Sequence, residues 1–253
     1  MVGYTEADSQ GELSVLKLVF AVVAGLFMAA PPAWADFKIQ AWSFDKDTPG
    51  NPPAGFVIGQ TNGEGGRWEV ATDAKAISPP YVLGRIPSNK PRPAPQVIFL
   101  EGIEAVNLDL TVRIKVSAEG DGQGGGAVFR AQDDRNYYVV WLSPQEKLVR
   151  IDRVVNGDVR HLQDLSVDAI EIGTWHTLRL TIRSAEMEAL YDNRQFISAR
   201  EEAWEFGRYK AGKVGLWASG SAVTYFDNVR FTSMDGGTGS APLGGTESTI
   251  ITK

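Results

Sequence analysis

Grouped carboxylates are the first chemistry this chain offers. Glu201, Glu202 and Glu205 surround Trp204, and Asp133 with Asp134 closely follows Arg130. Hydrolysis of a glycosidic bond needs two carboxyl groups facing each other across it, one protonated and one ionised. Either cluster could donate such an acid, but solvated loops of acidic proteins also produce clusters of this kind. Asp227 is a different case. If its strand alternates regularly, its face is shared with Val223, Tyr225, Val229 and Phe231, and a carboxylate carried into an apolar face must be paired or metal-bound. The alternative is a bulge that turns Asp227 toward backbone amides or an arginine.

Other reactive types are sparse. The two histidines, His161 and His176, show no zinc-protease spacing and read as structural or solvent-facing. The absence of cysteine excludes disulfides and thiolate metal sites. Gly120 to Gly126, GDGQGGG, lacks the Lys-Ser/Thr of a phosphate loop and precedes a strand rather than a helix, so it reads as a flexible turn.

The elements that must position these groups are strands. Leu108, Leu110, Val112, Ile114 and Val116 alternate with polar residues, and Leu178, Leu180 and Ile182 alternate with Arg179, Thr181 and Arg183. Such a period of two places one face on a core and the other in water, as in antiparallel sheets. Asn156-Gly157 and Asp192-Asn193 tolerate the positive φ angles of tight hairpins. Six prolines between Pro79 and Pro95 read as a long stiff loop on the rim, offering a contact surface to a protein partner as one reading of function. Trp42, Trp68 and Trp175 are expected in the core. Many short strands without helical periodicity give an all-β fold, an antiparallel two-sheet sandwich of jelly-roll type.

Leu16 to Ala30 is apolar apart from Lys17 and runs into Pro31-Pro32-Ala33-Trp34-Ala35, the pattern of a signal peptide's apolar stretch and cleavage site. The expected organisation is a leader over 1–35, one sandwich domain over 36–233 and a flexible tail over 234–253, whose DGGTGSAPLGGT stretch lacks the apolar surface to order itself. The expected location is periplasmic or extracellular, with no integral membrane segment after cleavage. A net charge of −6, with acidic and basic residues interspersed, excludes the basic stripe that a nucleic-acid partner requires. At 253 residues and 43% hydrophobic content, the chain can form a core without disulfide staples.

Five segments carry a resemblance: Gly126-Ala127-Val128-Phe129-Arg130, Asn136-Tyr137-Tyr138, Gly173-Thr174-Trp175-His176-Thr177-Leu178-Arg179, Gly212-Lys213-Val214-Gly215-Leu216-Trp217 and Phe226-Asp227-Asn228-Val229. Together they resemble the concanavalin A-like, laminin G-like sandwiches, and more narrowly the bacterial 3-keto-disaccharide hydrolase-like domains related to family-sixteen glycoside hydrolases. The resemblance implies a concave sheet face on which Arg130, Tyr138 and Trp217 meet as a carbohydrate platform, with an aromatic ring for the pyranose face and a guanidinium for its hydroxyls. It also implies a structural calcium near the first and last strands, held by Asp227 with Asp45 or Asp47. Departures from the family pattern argue against turnover. Tyr138 and Val140 stand where enzymes of the family carry Glu and Gln, Trp217 stands where they carry Gln, and the laminarinase-type Glu-x-Asp-x-x-Glu run is absent. The expected function is therefore noncatalytic glycan binding, with hydrolysis or lysis of a keto-disaccharide as the alternative.

Overall fold

The computed structural model describes residues 39–59, 66–89, 94–118, 123–201, 209–235 and 251–252. Among them are sixteen strands and no helix: β1 (Ile39–Trp42), β2 (Phe56–Ile58), β3 (Gly66–Thr72), β4 (Tyr81–Pro87), β5 (Gln96–Ala105), β6 (Leu108–Val116), β7 (Gly124–Ala131), β8 (Tyr137–Ser143), β9 (Leu148–Val155), β10 (Asp158–Ser166), β11 (His176–Arg183), β12 (Glu186–Tyr191), β13 (Gln195–Arg200), β14 (Gly212–Ser219), β15 (Thr224–Ser233) and β16 (Ile251–Thr252). The expected leader, together with Glu202, Trp204 and Glu205, lies outside the described residues.

Two sheets form the sandwich. One runs β13-β12-β11-β6-β15-β1-β16, with β4 also on β15 and β3 on β4; the other runs β10-β9-β8-β7-β14-β5-β2. All pairings are antiparallel except β1 with β16, which is parallel. The alternating residues of β6 and β11 face inward as their periodicity dictates, and Leu110, Ile114 and Leu180 pack in one cluster with Phe129, Val140 and Leu216 of the opposite sheet. Trp42 and Trp68 are buried there too. This is the jelly-roll sandwich of concanavalin A type.

Where the chain departs from expectation, the reasons are local. The proline-rich stretch is interrupted by β4, because Tyr81 to Ile86 contains no proline and can ladder with β3 and β15. Gly124, Gly125 and Gly126 are strand residues rather than turn, and each is packed where a side chain would collide. A Cβ on Gly124 or Gly126 would stand 2.6 Å from Trp141, and one on Gly125 would stand 2.7 Å from Thr224 and 2.8 Å from Ile114. Trp175 is half-buried outside the core; its ring lies 4.8 Å from the Lys115 ammonium and its Nε1 donates to the Lys75 carbonyl at 2.7 Å. At the other end, Asp235 is tied down, accepting from the Val106 and Asn107 amides at 2.8 Å each.

Candidate functional site

Arg130, Tyr138 and Trp217 do not meet. The cause is a bulge: Lys213 pairs with Ala131 and Gly215 with Val128, so Phe129 and Arg130 together oppose Val214. Arg130 takes up the extra residue at φ 49° and turns inward instead of outward. Its guanidinium is fully buried, donating to the Val106 carbonyl at 3.0 Å and to the Ser184 carbonyl. Burial lowers its pKa. Tyr138 is in the core as well, stacked on Phe129 at 5.5 Å and donating its hydroxyl to Glu201, whose carboxylate lies 3.6 Å from Arg153. A sugar platform built on these two residues is therefore excluded by their burial.

Trp217 lies on the outer face of the seven-stranded sheet, 6% exposed. There it joins Val97, Phe99, Val128, Tyr137, Trp141 and others in a second apolar cluster. An outer sheet face is ordinarily solvated and polar, whereas the members of this cluster are all buried, Trp141 being the most exposed at 8%. Along it runs a groove of about 570 Å³, within the range of small-molecule sites.

Three cross-strand pairs of β8 and β9 build the floor: Tyr137 with Val154, Val139 with Asp152, and Trp141 with Arg150. Residues at every second position share a face, so Tyr137, Val139 and Trp141 point into the groove while Tyr138, Val140 and Leu142 fill the core. Trp141 and Trp217 meet at 5.1 Å and 47°. The missing side chain of Gly126, which pairs with both, makes that approach possible. Ala94 and Pro95 also line the groove. Behind them the fully buried Arg85 donates to the carbonyls of Ala94 at 3.3 Å and Gly220 at 2.6 Å, and burial lowers its pKa to about 10.

The polar groups of the groove are linked. The Trp217 indole donates to the Tyr137 hydroxyl at 3.3 Å, and the Trp141 indole donates to Asp152 Oδ2 at 2.8 Å. Asp152 Oδ1 lies 3.1 Å from His161 Nδ1. Burial raises the Asp152 pKa against the lowering effect of these two partners. Burial chiefly, helped by the charges of Asp134 and Asp152, pushes the Tyr137 hydroxyl up to about 12. The tyrosine thus keeps its proton at neutral pH, as a donor. Arg150 is held over Trp141 by Asp164 at 2.8 Å and Glu146 at 3.1 Å. Asp134 also lines the groove, with Oδ2 buried and without a partner among the described residues.

Sequence reasoning passed over Tyr137, Trp141, Arg150 and Asp152 and read His161 as merely structural or solvent-facing. One signal was available: Arg150 and Asp152 alternate with Val149 and Ile151, placing two charges on one face of a strand whose other face is core.

Asp227 reaches neither groove nor core. A bulge at Asn228, φ 47°, changes the phase of β15, so Phe226, Val229 and Phe231 face inward and Asp227 the opposite side. There its carboxylate accepts the amides of Ser78 at 2.8 Å and Asn228 at 2.7 Å, while Asp45 accepts the Ser78 hydroxyl at 2.7 Å. Burial, with Asp45 adding to it, pushes Asp227 up to about 6. The two carboxylates share Ser78 without a cationic side chain on either among the described residues, a donor set that fits part of a calcium's oxygen shell. Carbonyls would have to supply the remainder, because calcium takes six to eight oxygens and the described residues hold no cluster of three acidic or histidine side chains.

No family model and no curated protein matches this chain. Solved structures share its fold. The carbohydrate binding module CBM66 from Bacillus subtilis is 16% identical, with TM-score 0.54 over 70% of this chain and 94% of that one. A protein of unknown function from Shewanella oneidensis MR-1 is 12% identical, with TM-score 0.53 over 90% and 96%. A β-glucanase of Bacillus licheniformis is 11% identical, with TM-score 0.50 over 77% and 97%. The chain is a concanavalin A-like sandwich.

Proposed function

We propose that this domain binds a short carbohydrate in the β8–β9 groove and does not cleave it. The observation that carries the reading is the floor itself, where the Trp141 and Trp217 indoles and the Tyr137 phenol lie beside Asp152, His161 and Arg150. Aromatic rings suit the C–H faces of a sugar, and charged side chains suit its hydroxyls. The sandwich fold shared with a carbohydrate binding module supports this reading. Against turnover, Asp152 is only 3% exposed and both its oxygens are engaged, by Trp141 and His161. A general acid must reach the leaving oxygen with a free proton.

The test is calorimetric titration with laminarin, xylan and dextran oligosaccharides, followed by chromatography of the recovered sugar. Binding with the sugar intact is expected; a failure to bind any of them would sink the reading. A hydrolase is the second reading, favoured by the raised Asp152 and by Asp134 in the same groove. It requires product release by the native protein that Asp152→Asn abolishes. We further propose that the domain works outside the cytoplasm after loss of 1–35, checked by N-terminal sequencing of the mature protein, and that Asp45 and Asp227 hold a structural calcium.

A further inference from the structure

The groove has a built end. It runs along β8 and β9, so its length over Tyr137 to Trp141 is about 13 Å at roughly 3.3 Å per residue. At the Tyr137 end, the β7–β8 loop and the β9–β10 turn lock across its axis. Asn156 donates its amide to Asn136 Oδ1 at 2.9 Å, Gly157 donates its amide to the Arg135 carbonyl at 2.9 Å, and the Arg135 guanidinium donates to the Asn156 carbonyl at 2.6 Å. Within the loop, Asp133 takes the Arg135 amide at 2.8 Å and the Asn136 side chain at 2.9 Å. From the core side, the Tyr209 hydroxyl donates to Asn136 Oδ1 at 2.9 Å.

The loop also packs against the β2–β5 edge on this face: a Cβ built on Gly59 would stand 3.2 Å from the Asp134 Cβ and 2.5 Å from the Val97 side chain. Six hydrogen bonds from three separate segments make this barrier a fixed part of the sandwich.

We propose that the site recognises the terminus of a glycan chain, or a free mono- or disaccharide, and excludes internal segments of a polysaccharide. An internal segment must leave the groove at both ends, and the Asn136–Asn156–Gly157 barrier blocks one of them. The terminal sugar abuts Tyr137, whose retained proton and neighbouring Asp134 carboxylate offer a donor and an acceptor to the hydroxyls that only a chain end presents. This inference rests on the glycan-binding reading above and sharpens its ligand class.

The experiment uses the full mature protein with laminarin, xylan and dextran, each intact and after partial acid hydrolysis to about one-tenth of its chain length, at equal mass. Calorimetric capacity should rise about tenfold on fragmentation for any polymer that binds, in proportion to chain ends. Capacity that follows mass and ignores fragmentation overturns the inference while leaving glycan binding intact. Absence of binding to all three polymers and to their fragments overturns the glycan reading and this inference with it. A second measurement makes the wall itself the variable: Arg135→Ala removes the bond to the Asn156 carbonyl and keeps the backbone ladder, and the preference for fragments over intact polymer should fall. An unchanged preference in that variant would remove the wall from the explanation.

Discussion

The Trp217 indole N–H donates to the Tyr137 hydroxyl at 3.3 Å, joining β14 to β8 across the glycine-lined strand between them. Both partners are buried in the groove floor, so the bond has no ready replacement from water. Tyr137→Phe keeps the ring and strands the indole donor, which should cost about 1–3 kcal/mol of stability. Loss of a hydroxyl that lines the groove should also weaken the proposed glycan binding about fivefold, the equivalent of about 1 kcal/mol. Thermal melts and calorimetry check the two effects separately.

Tyr138, the next residue, supplies the mirror experiment. Its hydroxyl belongs to the buried group of Glu201 and Arg153 on the core side, and burial raises its pKa. Tyr138→Phe should destabilise the fold by about 1–3 kcal/mol and leave glycan affinity within twofold of native. A loss of affinity like that of Tyr137→Phe would mean that the groove does not end at the sheet.

This adjacency shows how far the sequence could be read. In β6 and β11 polar residues mark every second position, so face and register follow directly from the residues. In β8 the run YYVVWLS is buried along its whole length, because one face is core and the other is groove. Period-two contrast disappears there, and nothing local says which tyrosine points inward. Arg130 and Asp227 were misplaced for a different reason: each lies beside or within a bulge whose extra residue, at φ 49° for Arg130 and 47° for Asn228, changes the phase of its strand. Neither position carries a glycine to announce the positive φ. The two-sheet architecture survives such shifts, and a site composed of named side chains does not.

Gly126→Ala tests the floor from beneath. The added Cβ would stand 2.6 Å from Trp141 Cβ and press on the neighbouring backbone, so a central strand must move rather than a flexible side-chain tip. Overpacking of this kind costs about 1–3 kcal/mol. The variant should show a lower urea midpoint at unchanged slope and a shift in tryptophan emission, since Trp141 and Trp217 are in ring contact here. An unchanged midpoint would mean that the strand relaxes freely around residue 126.

Asp227 should make stability depend on pH in the sense opposite to an ion-paired carboxylate. Its folded pKa is raised from 3.8 to about 6, so the native state holds the proton more tightly than the unfolded chain. The associated stability is fully present below the unfolded value and is lost as pH rises through about 6, a change of at most about 3 kcal/mol. Burial sets this direction and the facing Asp45 carboxylate adds to it, while the amides of Ser78, Asn228 and Ile77 favour ionisation without overcoming burial. In calcium-free buffer the native protein should therefore lose stability between pH 4 and pH 7, and Asp227→Asn should flatten that part of the profile. Calcium acts on the same pair with the reverse pH dependence, because it needs the carboxylates ionised. At about a hundredfold over its Kd it would add about 2.7 kcal/mol, read as a rise of about 5–10 °C in Tm at pH 7 and a smaller one at pH 5. A flat calcium response at both pH values would remove the metal from Asp45 and Asp227 and leave protonation to relieve their repulsion.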